Sequence, residues 1–187
     1  VAVEEEVGTP LASPLFTMQP EIPGHWIYAT PERLDFILSE PPPPATTFHL
    51  EPVPDASGSR GQHLSIPARI TFTTRSPRII SCRLSSADPE LATFIVEFNQ
   101  PVDPQEIAAH CTVTSAEENP LEMTLLNKDV GTEHLLQVPR DGGDWIVVSF
   151  SPGLRGTTGN REIEKARSYR LDLPKRFALL HARIHGS

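Results

Sequence analysis

The chain has 187 residues, 38% of them hydrophobic, with 20 prolines, 11 glycines and a formal net charge of −8. Each proline removes a backbone donor and fixes φ, so this density excludes long helices and favours short segments joined by turns. The negative charge repels phosphate backbones and argues against nucleic acid as a partner, and no apolar run reaches the ~18 residues that a membrane-spanning helix needs.

The length suits one large domain or two small ones. Prolines fall between aliphatic and β-branched runs, apart from the cluster Pro41, Pro42, Pro43 and Pro44. That distribution predicts a β protein and not a disordered chain. The start, Val1-Ala2-Val3-Glu4, resembles neither a signal peptide nor a methionine start. It is read as the interior of a longer precursor. The acidic run Glu4-Glu5-Glu6 is read as a solvated segment.

In the first part, Leu34, Phe36 and Leu38 alternate with Asp35 and Ile37, predicting a strand with one buried face. After the proline cluster, Thr46-Thr47-Phe48-His49-Leu50 reads as a second strand with Phe48 and Leu50 inward. Ser57-Gly58-Ser59-Arg60-Gly61 is a turn cluster. In Ala68–Thr73, Ile70 and Phe72 point one way and Arg69, Thr71 and Thr73 the other. This is the clearest strand of the first half.

A boundary is placed at Ser76-Pro77. Beyond it Phe94, Val96 and Phe98 share a face, and Met123, Leu125 and Leu135-Leu136 belong to further short apolar runs. Trp145–Phe150 reads as a central strand, with Ile146, Val148 and Phe150 or the opposite set inward. Tyr169, Leu171 and Leu173 alternate before Pro174. One short helix is expected: Asp103 as N-cap, Pro104 at the first helical position and Glu106 at the third form a capping box. Ile107, Ala108 and Ala109 would pack it on the sandwich edge. The tail Phe177–His185 reads as a short helix or the first strand of another domain. The expected architecture is therefore all-β. It comprises two consecutive Ig-like antiparallel β-sandwich domains at 1–76 and 77–175, the first N-terminally incomplete, and a tail at 176–187.

No set of residues assembles into a catalytic, cofactor or metal site. His181 and His185 have the helical spacing of two metal ligands, yet no H-E-x-x-H glutamate accompanies them. Asp141-Gly142-Gly143-Asp144 lacks the further carboxylates of a calcium loop and is read as a hairpin turn. Cys82 and Cys111 have no recognisable base; His110 beside Cys111 points to the opposite side if both lie on a strand. An oxidising compartment would allow Cys82 and Cys111 to bridge, contributing about 3–4 kcal/mol. A reducing one would leave two buried thiols. Trp26 and Trp145 are read as core residues before ligand-stacking ones.

The order of phrases carries a resemblance. Pro20-Glu21-Ile22-Pro23-Gly24-His25-Trp26 leads to Arg33-Leu34-Asp35-Phe36, Pro44-Ala45-Thr46-Thr47-Phe48, Gly61-Gln62-His63-Leu64 and Ile70-Thr71-Phe72-Thr73-Thr74. Phe98-Asn99-Gln100-Pro101-Val102-Asp103 follows, then Gly153-Leu154-Arg155-Gly156 and Gly159-Asn160. This succession, over most of residues 1–175, resembles the N-terminal macroglobulin-like domains of bacterial alpha-2-macroglobulin family proteins. The resemblance implies a scaffold module of a periplasmic or extracellular protease trap whose parent is lipid-anchored in many members. Its partners would be neighbouring domains of the same chain and, through the parent, target proteases. Neither cysteine fits the family's Cys-Gly-Glu-Gln thioester, so no inhibitory residue is carried over. A related Ig-like adhesion or ligand-binding module, with an exposed patch around Trp26, is the competing expectation.

Overall fold

The computed structural model describes residues 7–54 and 69–175. The readings of Val1–Glu6, of the Ser57–Gly61 turn, of Gly61–Leu64 and of the tail with His181 and His185 lie outside them. The described residues are built from antiparallel strands and a single short helix, an all-β sandwich-type fold. They divide into two units.

The first unit runs to Ser76 and includes Thr158–Arg161. It holds β1 (Phe16–Gln19), β2 (Gly24–Thr30), β3 (Arg33–Leu38), β4 (Thr47–Pro52) and β5 (Ile70–Thr73). One sheet has the order β1-β4-β5, and β2 and β3 form a separate hairpin. Pro31 pre-sets the φ that the tight turn between β2 and β3 needs, and Thr30 pairs with Arg33 across it. Among the described residues of this unit the buried ones are Phe16, Tyr28, Ala45, Thr46 and Phe48.

One expectation for this unit needs correction. The strand of Leu34, Phe36 and Leu38 forms, but Leu34 and Phe36 are only half-buried and Leu38 is 43% exposed. The strand of Ile70 and Phe72 forms as expected, and all four of its residues are exposed, with Ile70 and Phe72 at 41%. Phe72 instead lays its ring on the buried Phe48, centroids 5.1 Å apart. Alternation sets which side chains share a face; burial requires a second layer over that face.

The proline cluster ends at Ala45, which takes the left-handed conformation (φ 53°) while fully buried. Its surroundings determine that geometry. Ala45 N donates to Arg75 O, and Ala45 O accepts from Asn160 N and Arg161 N at 2.8 and 2.9 Å. Asn160 Oδ1 accepts from Thr47 N. Gly159 (φ 84°) lies so close that a Cβ there would stand 2.4 Å from the carbonyl oxygens of both Pro44 and Ala45.

The second unit holds β6 (Ile79–Ala87), β7 (Leu91–Val102), α1 (Pro104–His110), β8 (Cys111–Ser115), β9 (Pro120–Leu121), β10 (Thr124–Leu125), β11 (Gly131–Pro139), β12 (Trp145–Phe150) and β13 (Arg167–Asp172). Two four-stranded sheets, β10-β11-β7-β6 and β13-β12-β8-β9, enclose one core. Phe94, Val96 and Phe98 from β7 meet Ile146, Val148 and Phe150 from β12. Phe98 stands edge-on to Phe150 at 6.1 Å. Each buried phenylalanine contributes about 1.5–3 kcal/mol over an exposed one. The expected inward set on β12 is thus Ile146, Val148 and Phe150, and β12 lies inside its sheet.

Asp103 caps α1, its Oδ1 accepting from Gln105 N at 2.8 Å. The capping box is not completed: Glu106 turns its Oε2 to Arg155 N, 2.9 Å away, and so ties the helix to the later loop. Of the apolar helical residues only Ile107 is buried; Ala108 and Ala109 are exposed. Asp141–Asp144 is not a hairpin turn, because β11 and β12 lie in different sheets. Gly142 (φ 106°) instead lets the chain cross from one layer to the other.

Candidate functional site

The first unit carries a cleft with two chambers that share Met18, Ile22, Trp26 and Phe36. The inner one, ≈ 260 Å³, adds Leu38, Pro42, Leu50 and Phe72 and is lined by apolar side chains throughout. The outer one, ≈ 370 Å³, adds Phe16, Thr17, Gln19 and Glu21. Trp26 forms the shared wall, with its ring 5.6 Å from Phe16 and 4.8 Å from Phe36 between centroids. The register of the hairpin puts Trp26 directly opposite Phe36. Gly24 completes this wall, since a Cβ there would come within 2.6 Å of the Phe36 ring.

Trp26 is therefore a half-buried wall residue and not a core residue. Trp145 is also half-buried, and the Arg170 guanidinium lies over its ring at 4.5 Å. For Trp145 the next residue of the strand, Ile146, fills the interior, which leaves the indole to the outer face.

In the second unit a serine, a histidine and a glutamate converge at the end of α1. His110 Nδ1 is 3.0 Å from Ser151 Oγ, and His110 Nε2 is 3.9 Å from Glu106 Oε2. His110 closes the helix and Cys111 opens β8, so the two do not lie on one strand. The trio has the composition of a nucleophilic triad without its surroundings. Glu106 Oε2 already accepts from Arg155 N. The N–H groups of Ser151 and Gly153 donate to His110 O and Ile163 O, and Pro152 has none. These amides are not available to an oxyanion beside Ser151. The contacts fasten the helix end to the strand end. Gly153 accommodates the ring, since a Cβ there would lie 2.8 Å from His110 Cε1.

Cys82 and Cys111 are free thiols, on β6 and β8. Burial pushes both up to about 12; for Cys111 the nearby Cys82 adds to the effect. A thiol so protonated at neutral pH is a poor nucleophile and a poor metal ligand. Asp141 is held below the ordinary carboxylate range by the Ser115 hydroxyl and the Gly143 N–H, which lock the crossover between layers. Among the described residues no group of three or more His, Cys, Asp or Glu side chains is placed to hold a metal ion.

Sequence reasoning missed His134, fully buried on β11 edge-on to Phe98, with Nε2 3.0 Å from Gly131 O. The available signal was that His134 alternates with Leu136 and Val138 and so shares their face. Reasoning also missed Phe16 and Ile22 as cleft walls, since β1 is too short to show a period.

The fold thus defines the class, an all-β antiparallel sandwich-type protein. No protein-family model matches the chain, and no curated protein matches it. Among the described residues no helix is long and apolar enough to cross a membrane.

Proposed function

We propose that this chain is a scaffold module of a bacterial alpha-2-macroglobulin-like protease trap acting in the periplasm or outside the cell. The observation that carries the reading is how the phrase Phe98–Asp103 is used. Phe98 fills the core, Asn99 Oδ1 accepts from Arg78 N at 2.8 Å, Val102 is buried and Asp103 caps α1. Phe98, Asn99, Val102 and Asp103 of this phrase thus serve the architecture. On this reading the inhibitory machinery belongs to the parent, and the module's partners are its neighbouring domains and, through the parent, proteases. The test is a digestion assay with a large protein substrate and several unrelated endopeptidases. The chain alone is expected to leave the rate unchanged at a severalfold molar excess. Protection of the substrate by the chain itself would overturn the scaffold reading.

A second reading, a ligand-binding module of a bacterial surface protein, is favoured by one observation: the Trp26 cleft. Leu38 and Phe72, 43% and 41% exposed, line its apolar chamber. A contiguous apolar opening of this kind on a small domain marks a place where something docks.

A further inference from the structure

The cleft has a chemical polarity. Its inner chamber is lined by apolar side chains, so an apolar ligand group there gains by leaving water and meets no charged side chain. Its outer chamber presents the hydroxyl of Thr17, the amide of Gln19 and the carboxylate of Glu21. Among the residues lining both chambers Glu21 alone is ionisable. Among the described residues it forms no ion pair. The indole of Trp26 stands where the chambers meet, and an indole face is the strongest of the aromatic attractors of organic cations.

We propose that the cleft binds a small amphiphilic cation, an alkylammonium whose head lies between Glu21 and the Trp26 ring and whose chain enters the inner chamber. The assignment rests on the ligand-binding reading and adds the ligand's class to it. An anionic amphiphile would place its charge beside Glu21. A purely polar cation would leave the inner chamber unused. The inner volume of ≈ 260 Å³ suits a short chain and not a membrane lipid.

The full chain carrying Trp145→Phe keeps Trp26 as its one tryptophan. Octyltrimethylammonium, octyl sulfate and octyl glucoside, each below its micellar concentration, are titrated against the Trp26 emission, with far-UV circular dichroism as a check on folding. Octyltrimethylammonium is expected to give a saturable change with unaltered dichroism, at an affinity about fivefold or more above octyl sulfate. Glu21→Gln is expected to bring the two within about twofold while leaving octyl glucoside unchanged. Leu38→Arg, at a position 43% exposed, places a cation in the inner chamber and is expected to abolish saturation. Equal affinities for the three amphiphiles would overturn the cation assignment and leave ligand binding standing. No saturable change with any of them would overturn both. A change that survives Leu38→Arg, or that comes with loss of β dichroism, is surfactant adsorption and also overturns the assignment.

Discussion

The two units use the same local grammar and reach different interiors. In the second, alternating strands are covered by a facing sheet, and Phe94, Phe98 and Phe150 lie at 2% exposure or less. In the first, equally regular strands leave Ile70 and Phe72 open to solvent and enclose a cleft instead of a filled core. The difference teaches that period specifies a face and that only a partner layer converts the face into a core.

The largest expected effect tests that contrast directly. Phe98→Ala removes a ring packed against Phe150 and His134 and is expected to cost about 3–5 kcal/mol in urea or guanidinium unfolding. Phe72→Ala removes a ring of the same size that is 41% exposed, and is expected to cost about 1 kcal/mol or less. Equal losses would erase the distinction between the two interiors.

A smaller effect probes what fixes the first unit in place of a large core. Gly159→Ala forces a side chain into the left-handed region and against two carbonyl oxygens. A loss of about 1–3 kcal/mol is expected, read as the melting of β4 and β5 amides by hydrogen exchange. Unchanged protection there would show that backbone contacts at Ala45 contribute little.

The smallest effect concerns water exclusion in the second unit. Both thiols have a folded pKa of about 12, above the ordinary value of 9.0. Between those values the unfolded chain releases protons that the folded chain retains, so stability falls as pH rises through that window. Cys111→Ala is expected to make the alkaline limb of a stability–pH curve shallower, and native thiols to react slowly with a disulfide reagent at pH 8 until denaturant is added. Rapid modification of both thiols in the folded chain would mean that this core is more open than the geometry describes.

Much of this fold was legible. Phe94, Val96 and Phe98 announced their face, and Asp103-Pro104 announced a helix start, because period and capping are local properties of the chain. Glu106 stands at the third helical position as expected, but its bond to Arg155 N was not legible because that partner lies 49 positions away. Asp141–Asp144 was misread because a glycine turn has the same composition whether its flanking strands pair or lie in separate sheets. The cleft was glimpsed only through Trp26. Its other walls come from Phe16, Phe36 and Phe72, whose convergence depends on strand pairing and not on sequence spacing.

The two-residue strands β9 and β10 close one side of the sandwich, whereas β6 and β13 close the other with nine and six residues. A short edge gives an approaching chain almost no ladder to extend, so unwanted sheet-to-sheet polymerisation is hindered on that side. On the other side β13 carries Arg167, Arg170 and Asp172, charges that would have to be desolvated before another strand could add there. The nine-residue β6, with Ile80 52% exposed, is then the one edge of this sandwich left open to an added strand among the described residues.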